Sequence, residues 1–387
     1  MNKRRVVITG VGVVAAPGIG MDDLWKGLQA EPGPAPRLIE DWDPEPWITK
    51  RESRRLDKFT EFALVATEEA FAQSGEIDVD PNRVAVAVAT GIGGLESLET
   101  LVHESDKEAP RPSPFLIPMM MANAAAATIS IKYGFGGQVS TPVIACAAGS
   151  QSILDGLRQI QWDYADVAVV GGAEAAARHA AREGFKAARA LSPTGYARPF
   201  DGDRDGFVMG EGAGVLVLEA EDVALARGAT PIAEVLGAAS TADAYHITAP
   251  HPQGDGAERA VHLALEDAGL SPKEVRYVNA HGTGTDLNDR TEGAVITRVF
   301  GEQQPAISSI KGSTGHGLGA SGSIEAAVVV EAMRRGELPP NTGMTTQDPN
   351  IALTDIVTEL RTWDPGPSIS NSFGFGGHNT VVAIAPA

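Results

Sequence analysis

Val143-Ile144-Ala145-Cys146-Ala147-Ala148-Gly149-Ser150 holds the only cysteine in the 387-residue chain. The apolar run Val143–Ala145 reads as a buried strand, with Pro142 near its start. Beyond it Ile153, Leu154, Leu157 and Ile160 recur on one face, which predicts a helix over 150–163. Strand, small-residue turn and helix make one βα unit, with Cys146 in the turn. The free N–H groups and dipole of the helix N-terminus are expected to lower the thiol pKa there and favour the nucleophilic thiolate. A lone cysteine is equally at home as a small buried hydrophobe, so its role depends on what the rest of the chain brings to it.

The same alternation runs through the chain. Strands are expected at Val6–Thr9, Val84–Thr90, Val143–Ala145, Val167–Gly171, Gly214–Glu219, Val275–Asn279, Ile307–Ile310 and Thr380–Ile384. Helices are expected at Lys58–Ser74, Met119–Tyr133, Ser150–Asp163, Gly256–Ala268, Asp289–Phe300 and Ser323–Arg335. This pattern defines an α/β protein with parallel or mixed sheets. His316, followed by Gly317-Leu318-Gly319-Ala320-Ser321-Gly322 and an apolar helix, echoes the Cys146 unit. Two similar halves joined near Arg227–Ala238 would give this echo, and so would two unrelated βα units.

The length exceeds one typical domain, consistent with two domains or one duplicated fold. Hydrophobic residues at 43% and charged residues at 21% suit a globular protein with a large core. A net charge of −19 argues against broad nucleic-acid binding or adhesion to anionic membranes. Within that acidic chain Arg51, Arg54 and Arg55, with Lys50 and Lys58, form the densest basic cluster. It is either solvated charge or a docking face for an acidic partner. One cysteine excludes an intrachain disulfide framework and fits a reducing cytoplasm. Lys3-Arg4-Arg5 and the apolar run after it resemble a signal peptide only briefly, because Gly10, Gly12 and Pro17 interrupt it. No run reaches the roughly 18 apolar residues of a membrane span, so a cytoplasmic protein is expected.

Gly10-Val11-Gly12-Val13-Val14-Ala15 fits the G-x-G-x-x-A dinucleotide fingerprint. That motif must open a helix, and Ala16-Pro17-Gly18 would break one at its first turn. More informative are three Gly-rich turns that follow apolar strands and carry His281, His316 and His378. Glycines at this density let the backbone approach a ligand and turn its N–H groups inward. Lys311 precedes one of these histidines by five residues. No zinc spacing occurs and no metal or cofactor is expected. A cysteine with two histidines points instead to covalent acyl transfer through a thioester.

Here the chain resembles the β-ketoacyl-acyl-carrier-protein synthase II family, including type II polyketide ketosynthases. The resemblance spans nearly the whole chain. It rests on Arg4-Arg5-Val6-Val7-Ile8-Thr9-Gly10, Ala145-Cys146-Ala147-Ala148-Gly149, Arg198-Pro199-Phe200-Asp201, Arg204-Asp205-Gly206-Phe207, Asp243-Ala244-Tyr245-His246 and the three histidine turns. It implies a thiolase-like fold, two related βα halves (1–230 with the cysteine, 231–387 with the histidines) in alternating helix and sheet layers, usually dimeric.

By position the resemblance implies a catalytic set of Cys146, His281 and His316 with Lys311. It implies an oxyanion hole from the N–H groups of Cys146 and Phe375, and supporting acids at Glu325 and Asp289. Ile92 matches an acyl-pocket position and Phe375 a gating aromatic. Arg51, Arg54, Arg55 and Arg189 match residues that dock the acidic acyl carrier protein. His378 stands where many relatives carry threonine and receives no catalytic role. A thiolase-like enzyme would use a second cysteine as base, which this chain lacks. The run His281–Asp289 leans towards polyketide ketosynthases and Asp243–Pro250 towards fatty-acid enzymes. The expected partner chain is a second copy or a related ketosynthase-like chain without the cysteine.

Overall fold

A computed structural model describes residues 3–107 and 111–387. Among them the strands are β1 (Val6–Ala15), β2 (Gly18–Ile19), β3 (Val84–Ala89), β4 (Val139–Ser140), β5 (Val167–Glu174), β6 (Gly212–Ala220), β7 (Ala233–Ala242), β8 (Tyr277–Asn279), β9 (Ala306–Ser308), β10 (Glu337–Leu338), β11 (Arg361–Thr362), β12 (Ser368–Gly374) and β13 (His378–Ala385). All but the β10–β11 pair join one sheet, ordered β4-β3-β5-β6-β1-β7-β13-β12-β8-β9 with β2 on β1.

That order has the same plan read from either end. β1 and β7 pair antiparallel at the centre, Val7 opposite Glu234 and Ile8 opposite Ala233. Moving outward, β6 and β13 pair antiparallel to them, and β5 and β12 antiparallel again. Then β3 and β4 on one side, and β8 and β9 on the other, run parallel. The molecule is a thiolase-like α/β fold.

Side-chain alternation builds its layers. In β5, Val167 and Val169 pack with Phe59, Phe62 and Val65 of the helix Lys58–Ser74, while Ala168 and Val170 face Ile153, Leu157 and Ile324. In β13, Val382 and Ile384 join that second core, and Val381 and Ala383 face Val261 and Val295 of two outer helices. Strands buried on both faces read as continuous apolar runs. Between the half-sheets lie the helices Ala148–Gln161 and Ser321–Arg335, each touching strands of both halves. Among the described residues no helix is long and apolar enough to cross a membrane.

Three expectations are corrected. Val143–Ala145 is not a strand: the paired segment is β4, and the chain then runs to a tight turn at Ala145–Ala147. Ala145 adopts a left-handed φ of 51°, which turns the backbone out of the ladder. Met119–Tyr133 is two helices, Leu116–Met120 and Ala124–Tyr133, parted where Met121 is extended. Gly10 and Gly12 do not end the first strand, which continues to Ala15. A Cβ at either would collide with the carbonyl of Ala70 or Ala66, so these glycines seat the helix Lys58–Ser74 directly on β1.

Candidate active site

The two buried helices begin against one another. A Cβ on Gly149 would lie 2.8 Å from Ser323 N, and one on Gly322 2.8 Å from Ser150 N. Only glycine permits this approach. Cys146 precedes one helix and His316 the other, so the contact brings them together: His316 Nε2 lies 3.0 Å from Cys146 Sγ. His281, two residues beyond β8, meets the His316 ring edge-on with centroids 5.3 Å apart. With Ile92, Leu318 and Phe375, these three side chains line a cavity of about 440 Å³.

Lys311 fixes the electrostatics from below. Its buried ammonium donates to His281 O at 2.6 Å and to Glu325 Oε1, and lies 3.4 Å from His281 Nδ1. An ammonium can only donate, so His281 Nδ1 accepts and the ring proton sits on Nε2. Burial, then the Lys311 charge and His316, hold His281 well below the usual imidazole pKa. Burial and Lys311 do the same to His316. Both rings are therefore neutral at neutral pH. Burial pushes the Glu325 carboxyl up to about 7 against the pull of Lys311. His316 Nδ1 lies 3.1 Å from Ser321 Oγ, a hydroxyl that can donate or accept.

The thiol departs from expectation. Burial pushes Cys146 up to about 11, outweighing Lys311 and the N–H groups of Phe375 and Cys146 that point at the sulfur. A helix N-terminus favours the thiolate, but desolvation of a buried sulfur opposes it more strongly. Resting Cys146 thus keeps its proton, with a neutral imidazole nitrogen in hydrogen-bond range.

The other sequence-predicted residues separate into groups. Ile92, Phe375 and Arg189 line the cavity that holds Cys146, His281 and His316. Asp289 touches neither histidine: it accepts from Phe200 N at 2.8 Å and Gly284 N at 3.2 Å, holding the turn after His281. His378 is not among the cavity-lining residues. Arg51, Arg54 and Arg55 lie outside that cavity, Arg54 lining a second one of about 530 Å³. Lys58 does not share their exposed surface, because its ammonium turns inward to Glu211 at 2.7 Å.

Two buried acids were missed. Glu292 accepts from the N–H groups of His281 and Gly282, both at 2.8 Å, and from Asn371 Nδ2 at 3.1 Å. Its one signal is its position a helical turn after Asp289, on the same face. Glu174 closes β5 and gives no signal beyond ending an apolar run. Its Oε2 accepts from Gly91 N at 2.7 Å and Gly319 N at 3.1 Å, and its Oε1 from Thr90 Oγ1 at 3.2 Å.

Residues 33–224 match the N-terminal domain of beta-ketoacyl synthase and residues 232–345 its C-terminal domain. The chain is 42% identical over 411 residues to the 3-oxoacyl-(acyl-carrier-protein) synthase 2 of Synechocystis sp., covering 99% of this chain and 98% of that relative. The ishigamide ketosynthase/chain length factor superposes with a TM-score of 0.92 at 33% identity, covering all of both chains. A type II PKS acyl-carrier protein in complex with its ketosynthase bound to the hexaketide gives 0.90 at 29%, again covering 100% of each chain. Fold and sequence together define a condensing acyltransferase. The chain belongs to the beta-ketoacyl synthase family, close to the synthase 2 enzymes and the type II polyketide ketosynthases.

Proposed function

We propose that this chain catalyses the decarboxylative Claisen condensation of malonyl-acyl-carrier protein with an acyl chain held on Cys146, in fatty-acid or type II polyketide synthesis. The observation that carries this reading is the 3.0 Å approach of His316 Nε2 to Cys146 Sγ, with neutral His281 beside it.

In the first half-reaction the sulfur attacks the acyl thioester, an S–C bond forms, and the carrier's thiol leaves with the proton Cys146 gives up. With Nδ1–H donating to Ser321, His316 can accept that proton at Nε2. The N–H groups of Cys146 and Phe375 are the donors for the tetrahedral oxyanion. In the second, malonyl carrier protein loses carbon dioxide, and the C–C bonding pair becomes an enolate. Nε2–H of His281, and of His316 in its other tautomer, stabilises the enolate oxygen. The enolate carbon then attacks the acyl-Cys146 carbonyl, the acyl C–S bond breaks, Cys146 leaves as the thiolate and takes up a proton, and the chain gains two carbons. Lys311, held by Glu325, keeps the imidazoles neutral rather than acting as base, and Asp289 supports the His281 turn. Ile92 and Phe375 bound the acyl end.

Arg51, Arg54, Arg55 and Arg189 receive the acidic carrier. The enzyme works in the cytoplasm, its halves 1–230 and 231–387 forming one catalytic unit. It pairs with a second copy or with a related chain lacking the cysteine; similarity to the ishigamide ketosynthase/chain length factor supports the latter arrangement.

Intact-mass measurement after incubation with acyl-carrier-protein thioesters tests the covalent step. The wild type should gain one acyl group and Cys146→Ala none. A wild type left unmodified across several chain lengths overturns it.

A further inference from the structure

Glu174 is fully buried, lies outside the proposed proton path, and joins two segments far apart in sequence. One is Thr90-Gly91-Ile92, which carries a wall of the catalytic cavity. The other is Leu318-Gly319, two residues beyond His316, where Leu318 also lines the cavity. The carboxylate takes Gly91 N and Gly319 N on one oxygen and Thr90 Oγ1 on the other. Thr90 Oγ1 in turn accepts from Gly93 N at 3.1 Å, so both flanks of Ile92 depend on the same group. Leu318 has a left-handed φ of 45°, a conformation that needs its neighbours to hold it.

Resting on the acyl-transfer reading above, we infer that Glu174 is a positioning residue that sets acyl-chain selectivity by pinning the Ile92 and Leu318 walls to each other. Without it the N–H groups of Gly91 and Gly319 are buried and unpaired, at a cost that drives the two segments apart towards other partners. The cavity widens at Ile92 while Cys146 and His281, held by other contacts, stay in place. Glutamine preserves the pin. Its amide oxygen can accept both N–H groups, and its NH₂ can donate to Thr90 Oγ1, which has a lone pair to spare.

The test compares Cys146 acylation, read by intact mass, from carrier-protein thioesters of several acyl lengths, with KM and kcat taken for each. Glu174→Ala should reduce discrimination between the best and worst lengths by about tenfold, chiefly through KM for the disfavoured ones, since one misfitted methylene is worth that much. Glu174→Gln should restore the wild-type profile. An unchanged profile in folded Glu174→Ala, or an equal loss at every length, overturns the inference. If the alanine variant does not fold, Thr90→Val, which removes one arm of the pin, must flatten the same ratios or the inference fails. A wild type that takes up no acyl group refutes the acyl-transfer reading itself, a result separate from either.

Discussion

Lys311 spends its three donors on the His281 carbonyl, His281 Nδ1 and Glu325, which ties the protonation of one ring to the charge of another side chain. The ammonium lowers the His281 pKa, so removing it raises that pKa and His281 gains a proton at higher pH. In Lys311→Met, Glu325→Gln, which also removes the stranded carboxylate, the acid limb of malonyl decarboxylation should therefore move up by about one pH unit. A pH–rate profile checks this. The two histidines should also separate kinetically. His281→Ala should lose decarboxylation by about 10²–10³-fold and keep acylation, while His316→Ala, which removes the group beside Sγ, should lose both. Single-turnover acylation and carbon dioxide release measure the two steps. Cys146 and the two histidine turns were legible because scarce residue types sat in small-residue or Gly-rich turns after apolar runs. Glu174 and Glu292 were not, since their partners are backbone N–H groups that leave no mark in a sequence. Nor was the thiol's raised pKa, because burial of the sulfur depends on segments distant in sequence, such as those carrying His316, Leu318 and Phe375.

The helices Ala148–Gln161 and Ser321–Arg335 were legible from their apolar spacing, and their equivalence from the matching small-residue turns. Their mutual contact was not legible: Gly149 and Gly322 look like ordinary turn glycines until each is found against the other helix. Among the strands not expected from the sequence, β12 shows a related reason. β12 carries Ser370-Asn371-Ser372, polar side chains buried among partners such as Ser150 Oγ and Glu292, so it lacks the usual apolar signature. The strand expected at Val143–Ala145 failed because apolar character alone does not keep a segment in the ladder when Ala145 turns out of it. Gly149→Ala should push the helix ends apart and lengthen the Cys146–His316 approach. A misplacement of that kind should slow acylation by at least about tenfold, more than it lowers the thermal midpoint; a stopped-flow acylation assay alongside a melting curve separates the effects.

At the scale of the whole molecule, the acidic carrier proposed above would dock on a chain of charge −19. With Lys58 turned inward and Lys50 paired with Glu45, the outward positive charge of this region falls to Arg51, Arg54 and Arg55. Reversing all three should weaken carrier-protein binding, most at low salt where the Debye length is long, leaving Cys146 alkylation unaffected. An unchanged affinity would remove this docking face. The mirrored strand order has a further consequence. The first run of strands carries Cys146, the proposed nucleophile, and the second carries its imidazole neighbours, across the β1–β7 pairing. Neither segment alone can hold a reacting centre. Expressed as two separate polypeptides, one would carry a thiol with no base and the other a base with no thiol, and acyl uptake would then report directly on whether the two had found each other.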